Sequence, residues 1–508
     1  MKSFSKSITI FMVLAIVIGI SLRLIPTTVS GKPFSTDIWP LITLSQTLYS
    51  NPWHRIWDDS VFKGHHNKWP AVIFEGAIYT SVTGLDVEFF FRYVGVLITQ
   101  LIVMLSFFSF VKRRLGVAPA LMSLYALTSL PSLIVFTSAT LKEVYSYPFA
   151  ALLLLILFSR GYKLRKYFLL TLTAIALVAS HPLTPLIVIA FIASYIFAIF
   201  VDYVKGGFRA LELSGVRSLS ASLILVTAIY ILYMALYGSR GLIYRFSLGD
   251  YAKLGIIAIS IYGWYFLVGK DAIYFLPFMA LGVTGLFISM SHRLINSTLA
   301  MYIAPAVIML APAIRRMWCR DIYIILSSIS LPILVSMLYI ATTPVLMSIL
   351  HRVLNCALVT AVAAVVYFAW RGGMLRIYAV VATLIGVALS IATAINIAVG
   401  MDPLVYYWRY SEGEVQGILT IARYMDYKGI CGDSKIFYFV GHSIEVDIVC
   451  GLELFQSSRI ERPMVLYIDN LRYGYVLSPI DIYPIYNFSK VLEKVSLVYN
   501  SDVVYALN

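Results

Sequence analysis

The sequence predicts a polytopic α-helical membrane protein with a small polar C-terminal domain, and three observations carry that prediction. Of the 508 residues, 60% are hydrophobic and only 13% charged, with a mean hydropathy of +0.86. That is more apolar surface than one soluble core of this size can hide. The apolar residues form long continuous runs separated by short polar clusters, as membrane helices do, without the alternation of a transmembrane barrel. Lys and Arg gather in alternate short loops, the bias of cytoplasmic connections.

About thirteen spans are expected, near 8–26, 88–111, 118–137, 143–159, 167–180, 183–202, 218–237, 254–268, 272–290, 298–313, 322–342, 353–370 and 376–399. The first follows Lys2 and Lys6 and has no small-residue cleavage site after it. It reads as an uncleaved span with a cytoplasmic N-terminus. Inner loops then carry Lys112-Arg113-Arg114, Arg160 to Lys166, Lys205 to Arg217, Lys270, Arg315-Arg316 with Arg320, and Arg371 with Arg376. The formal net charge of +14 records this topology, and no nucleic-acid partner is expected.

The division expected is a transmembrane domain at 1–400, with a first outer loop at 27–87, and an extracytoplasmic α/β domain at 401–508. Pro70 to Thr83 is apolar but too short to span, so it reads as an interfacial helix. In the C-terminal part, Glu412 to Tyr427 has helical periodicity. Lys435–Val440, Ile444–Val449, Val465–Ile468, Tyr475–Leu477 and Val503–Ala506 read as strands, and Asn487–Val495 as a helix. No P-loop, dinucleotide fingerprint or nucleophile elbow occurs there. Cys431 and Cys450 both fall in this domain, where a disulfide and two free thiols are alternatives. The sequons Asn296-Ser297-Thr298 and Asn487-Phe488-Ser489 fall on the same outer side.

The outer loops hold the residues suited to chemistry. Asp37 lies in Ser35-Thr36-Asp37-Ile38-Trp39-Pro40, either as a reactive carboxylate or in a helix start in which Thr36 or Asp37 caps a helix beginning at Ile38. Lys142-Glu143 opens the fourth span, where the pair is either functional or simply solvated at the interface. Arg352 enters a late span beside His351. Its guanidinium suits a phosphate, and snorkelling to lipid headgroups is the alternative. Arg240, Arg245, Lys253 and Lys142 are further cations on the same side. His65, His66, His181, Trp39 and Trp69 are candidates to contact a polar ligand or a sugar ring. Trp53 and Trp57 share the first outer loop, and an interfacial aromatic belt is the alternative for any single Trp. His65 and His66 with Asp58 and Asp59 are ligand types for Zn2+ or Mn2+, and carboxylates also suit Mg2+. Adjacent histidines rarely both bind one ion, so no metal site is expected and a divalent ion is the alternative.

Several of these features together resemble the GT-C glycosyltransferases. They are Leu22-Arg23-Leu24 closing the first span, the Asp37 loop, and Trp69-Pro70 leading to a stretch closed by Thr83-Gly84-Leu85. Lys142-Glu143, Arg352 and the C-terminal extracytoplasmic domain complete the pattern. This superfamily includes protein mannosyltransferases, aminoarabinose transferases and archaeal relatives that use polyprenyl-phosphate sugars. The resemblance implies inverting transfer of a sugar from a polyprenyl-phosphate donor to a lipid-linked glycan or protein acceptor at the outer face. It implies Asp37 as the catalytic base and Glu143 as its helper; by its chemistry Arg352 is the preferred ligand of the donor phosphate, with Lys142, Arg240 and Arg245 as alternatives. Other classes remain open at this level: a transporter or flippase of lipid-linked sugars, a polysaccharide polymerase or ligase, or a non-catalytic scaffold. Few charges fall in mid-span and no repeat is evident, which disfavours the transporter.

Overall fold

The computed structural model describes residues 2–62, 66–159, 163–205, 213–242, 246–274, 296–312, 320–343, 350–399 and 408–424. It also describes short runs within 276–282 and, beyond 424, Lys435, Phe439 and seven strands. Its helices are α1 (Lys2–Ser30), α2 (Ile38–Ser50), α3 (Ala71–Thr83), α4 (Val87–Leu115), α5 (Val117–Thr128), α6 (Pro131–Phe136), α7 (Lys142–Leu157) and α8 (Lys163–Ser180). They continue as α9 (Leu183–Val204), α10 (Leu213–Leu236), α11 (Leu248–Val268), α12 (Asn296–Leu310), α13 (Arg320–Ala341), α14 (Leu350–Arg371), α15 (Gly373–Ala398) and α16 (Glu412–Tyr424).

Among the described residues, eight helices are long and apolar enough to cross a membrane: α1, α4, α9, α10, α11, α13, α14 and α15. Each coincides with an expected span. Four other expected spans coincide with the shorter or more charged helices α5 with α6, α7, α8 and α12, and most of 272–290 lies outside the described residues. The expected span 118–137 is two helices because Pro131 starts α6. A proline has no N–H for an interior helical bond and is favoured at the first turn.

The chain divides into two compact units. The first comprises Met1–Arg23, Arg55–Val72 and Gly95–Ala394. Within it α7 packs against α4, α8 and α9, and α14 packs against α5, α12 and α13. Within Arg352–Arg371 an 18-residue apolar stretch is 78% buried, and within Leu248–Val268 the corresponding stretch is 6% buried, so α14 is an inner helix and α11 a peripheral one. Small side chains explain the inner position: Ala357, Ala361 and Ala364 are fully buried along α14 and let neighbouring backbones approach.

The second unit comprises Leu24–His54, Ile73–Val94 and Ile395–Asn508. Its strands are β1 (Ile430–Cys431), β2 (Ile448–Cys450), β3 (Met464–Tyr467), β4 (Tyr475–Leu477), β5 (Ile482–Pro484), β6 (Leu497–Asn500) and β7 (Val504–Leu507). Five form a mixed sheet in the order β2-β1-β3-β7-β6, and β4 pairs with β5. The β1–β2 register sets Cys431 beside Cys450 along the backbone; Asn487–Val495 lies outside the described residues. Lys435 and Phe439 are helical, a correction at these two positions to the strand expected at Lys435–Val440, whose other residues lie outside the described ones. The reason is burial. Both contact the Tyr410 ring, and each reaches a further partner. Lys435 pairs with Glu414, its ammonium over the Tyr410 ring, while Phe439 packs edge-on to Trp39. Ser411 and Glu414 start α16 with reciprocal bonds, Ser411 N–H to Glu414 Oε2 (2.6 Å) and Glu414 N–H to Ser411 Oγ (3.2 Å), which is a capping box.

Candidate active site

The first unit gathers five of the expected site residues. Lys142 and Glu143 occupy the first turn of α7, and Arg352 the first turn of α14. Arg352 Nε stands 2.8 Å from Glu143 Oε2, with the two side chains 25% and 12% exposed. The Nε–H is not aligned on any acceptor, so charge and proximity hold this pair. The other carboxylate oxygen, Glu143 Oε1, accepts a hydrogen bond from Tyr147 (2.7 Å), one turn along α7. The Lys142 ammonium lies 5.4 Å from the centre of the Trp69 ring, within cation–π range.

His181 sits in the turn between α8 and α9 and is buried. Its Nδ1 accepts from the Thr184 N–H (3.2 Å) and lies 2.9 Å from Thr184 Oγ1. In the neutral ring the proton is therefore on Nε2. Burial first, then the charges of Arg352 and Lys142, hold this imidazole well below its usual pKa. Ser146 Oγ, on α7, is 2.7 Å from Thr184 Oγ1 and ties the turn to the Glu143 helix.

Trp69 is held by its own segment. Lys68 pairs with Asp59 at 2.5 Å and donates to the Trp57 carbonyl at 3.3 Å, while Asn67 donates to both Asp59 (2.9 Å) and the Ile56 carbonyl (3.2 Å). Tyr233 donates to the Lys68 carbonyl (2.6 Å), and Trp57 stacks on Tyr237 at 4.3 Å. Gly241 completes the seat: a Cβ there would come within 2.6 Å of Lys68 and 2.8 Å of Trp69. The Lys68 and Asn67 hydrogen bonds lower the Asp59 pKa, and Arg240, itself exposed, adds charge. A carboxylate with a depressed folded-state pKa stabilises above its unfolded value of about 4 and loses that contribution as pH falls through the folded value. Asp59 is more than half exposed, so the effect is at most about 1 kcal/mol. The Tm gap between wild type and Asp59→Asn in detergent should therefore be constant above about pH 4 and close at lower pH. A gap that widened on acidification would contradict this pairing.

Asp37 belongs to the second unit. It occupies the N-cap position of α2, which starts at Ile38 as expected, but its side chain makes no capping hydrogen bond. Asp37 is half-buried. Two residues earlier, Ser35 has φ +97° and donates its N–H to the Trp408 carbonyl at 2.7 Å. A left-handed serine is strained and persists only where its surroundings hold it. Trp39 is 5% exposed and packs edge-on to Tyr410 and Phe439, at 5.4 and 4.8 Å. Its observed partners are aromatic core residues of its own unit.

No protein-family model and no curated protein matches this chain. Solved structures do. The oligosaccharyltransferase AglB from Archaeoglobus fulgidus, in complex with an inhibitory peptide and a dolichol-phosphate, is 13% identical with a TM-score of 0.54, over 93% of this chain and 71% of that one. This chain has the GT-C fold. ArnT from Cupriavidus metallidurans, bound to undecaprenyl phosphate, is also 13% identical, with a TM-score of 0.43 over 99% of this chain and 98% of that one.

On this GT-C fold, the described structure brings Lys142, Glu143, His181, Arg352 and Trp69 together. His66 is buried in a 3-10 turn with Lys68, Arg240 is exposed, and His65 and Arg245 lie outside the described residues. Among the described residues no three His, Cys, Asp or Glu side chains are grouped to hold a metal ion. Sequence reasoning missed Tyr147, Ser146 and Thr184. The four-residue step from Glu143 to Tyr147 was a usable signal, whereas the hydroxyl contacts across helices left none.

Proposed function

We propose that this chain is an integral membrane glycosyltransferase that moves a sugar from a polyprenyl-phosphate donor to an acceptor. The supporting observation is the joining of Lys142, Glu143, Arg352, His181 and Trp69 in one cluster on a GT-C fold. The AglB structure, which contains a dolichol-phosphate, supports the same donor class.

In this reading the Asp37 carboxylate takes the proton from the acceptor nucleophile as that atom attacks the anomeric carbon. The bond from that carbon to the phosphate oxygen breaks, and its electron pair leaves on the polyprenyl phosphate. Arg352 and Lys142 neutralise the charge that develops there. Attack opposite the leaving group inverts the anomeric centre. Glu143 orients Arg352 and the acceptor, and Trp69 and His181 face the sugar. The neutral His181 ring offers an Nε2–H donor without adding a third cation.

The N-terminus is assigned to the cytoplasm and residues 401–508 to the outer side, where they assist acceptor docking. Native mass spectrometry of the purified chain with dolichyl phosphate tests the donor assignment. A one-to-one adduct that Arg352→Ala strongly depletes is expected; an adduct insensitive to Arg352, or none at all, would refute it.

A further inference from the structure

Arg23 is the eighteenth residue of the candidate span Lys6–Ser30 and is 1% exposed. A guanidinium in that position is costly and marks a functional demand more often than not. Among the described residues no carboxylate pairs with it. Its donors instead go to three neutral oxygens: Nε to Thr137 Oγ1 (2.6 Å), Nη1 to the Gly19 carbonyl (2.7 Å) and Nη2 to the Leu127 carbonyl (3.4 Å). Leu127 lies in the last turn of α5, and Thr137 is the C-cap of α6. The cation therefore sits where two helices end, the favourable place for positive charge.

Helix α6 has a second anchor. Ser132 donates to Asn355 Oδ1 at 2.8 Å, and Asn355 lies on α14 three residues after Arg352, on the same helical face. Leaving Thr137, the chain passes Thr140, which is seated so close to Gly95 that a Cβ there would come within 2.6 Å of its hydroxyl. It then enters α7 at Lys142-Glu143. One short helix thus connects the element that carries Arg352 with the strand of chain that delivers Glu143.

We propose that Arg23 is a positioning residue that sets the spacing of the Glu143–Arg352 pair through α6. This rests on the reading of Arg352 as the ligand of the donor phosphate. Removing the guanidinium frees the C-terminus of α6, lets both helix starts drift and misplaces the cations.

The test uses the full chain in nanodiscs, with dolichyl phosphate as probe. Kd and Tm are measured for wild type, Arg23→Gln, Arg23→Lys, Thr137→Val and Arg352→Ala. The expected pattern is binding weakened about tenfold or more in Arg23→Gln, part of it recovered in Arg23→Lys, and a smaller loss in Thr137→Val. A purely structural Arg23 would lower Tm and leave the Kd of the folded protein unchanged, and that result overturns the proposal. If Arg23→Gln does not fold, Thr137→Val decides, and unchanged affinity there overturns it equally. Wild-type affinity in Arg352→Ala would instead show that the phosphate reading itself fails.

Discussion

Asp37→Asn is expected to lower turnover by about two to four orders of magnitude, the usual contribution of a positioned general base, with little change in donor affinity. The substitution keeps size and shape and removes only the basic carboxylate. It should leave the start of α2 in place, because Asp37 makes no side-chain capping bond there. The surrounding backbone is held by other contacts, including the Ser35 N–H to the Trp408 carbonyl and the packing of Trp39 on Tyr410. Loss of activity with an unchanged Tm would separate chemistry from folding. The measurement is kcat and KM in a membrane assay with lipid-linked sugar donor, and transfer at the wild-type rate would remove Asp37 from the mechanism.

The second large effect is at Arg352. Arg352→Ala should weaken donor binding by about 10- to 100-fold, the range that corresponds to the loss of one charge-assisted hydrogen bond at about 1.5–3 kcal/mol. Arg352→Lys should fall between, since an ammonium keeps the charge but loses the planar fork. Arg352 is paired with Glu143 in this structure, so a donor phosphate competes with that carboxylate for the guanidinium. Glu143→Gln is therefore expected to shift donor affinity in the opposite direction, toward tighter binding, while turnover falls. Isothermal titration with dolichyl phosphate distinguishes the two signs. Equal weakening in both variants would mean that the pair supports the fold and does not select the ligand.

Much of this site was legible one residue at a time. Lys142, Glu143 and Arg352 stand out because each is charged at the start of an otherwise apolar run; Asp37, in the other unit, stands out in the same way. Their partners were not legible. Glu143 and Arg352 are far apart in sequence, and Trp69 reaches Lys142 only because Lys68, Tyr233 and Gly241 seat it. Trp39, in sequence terms a ring suited to a sugar, is surrounded by aromatic side chains, which no loop composition reveals. Arg23 was visible as a charge closing a span, but its link to α6 was not.

What the sequence determined by itself was the membrane class, the places of most long helices and the identity of the outlying charges. Hydropathy and charge act over one helical turn or one span, so they are written locally. What only the tertiary structure decided was which helix starts meet. It paired α7 with α14 through Glu143 and Arg352, and it bridged them by α6. It also grouped residues 24–54 and 73–94 with the C-terminal residues in one compact unit. Apolar faces specify that helices pack but not with which partner, and that choice is made by close contacts between small residues, buried hydroxyls and paired charges distant in the chain.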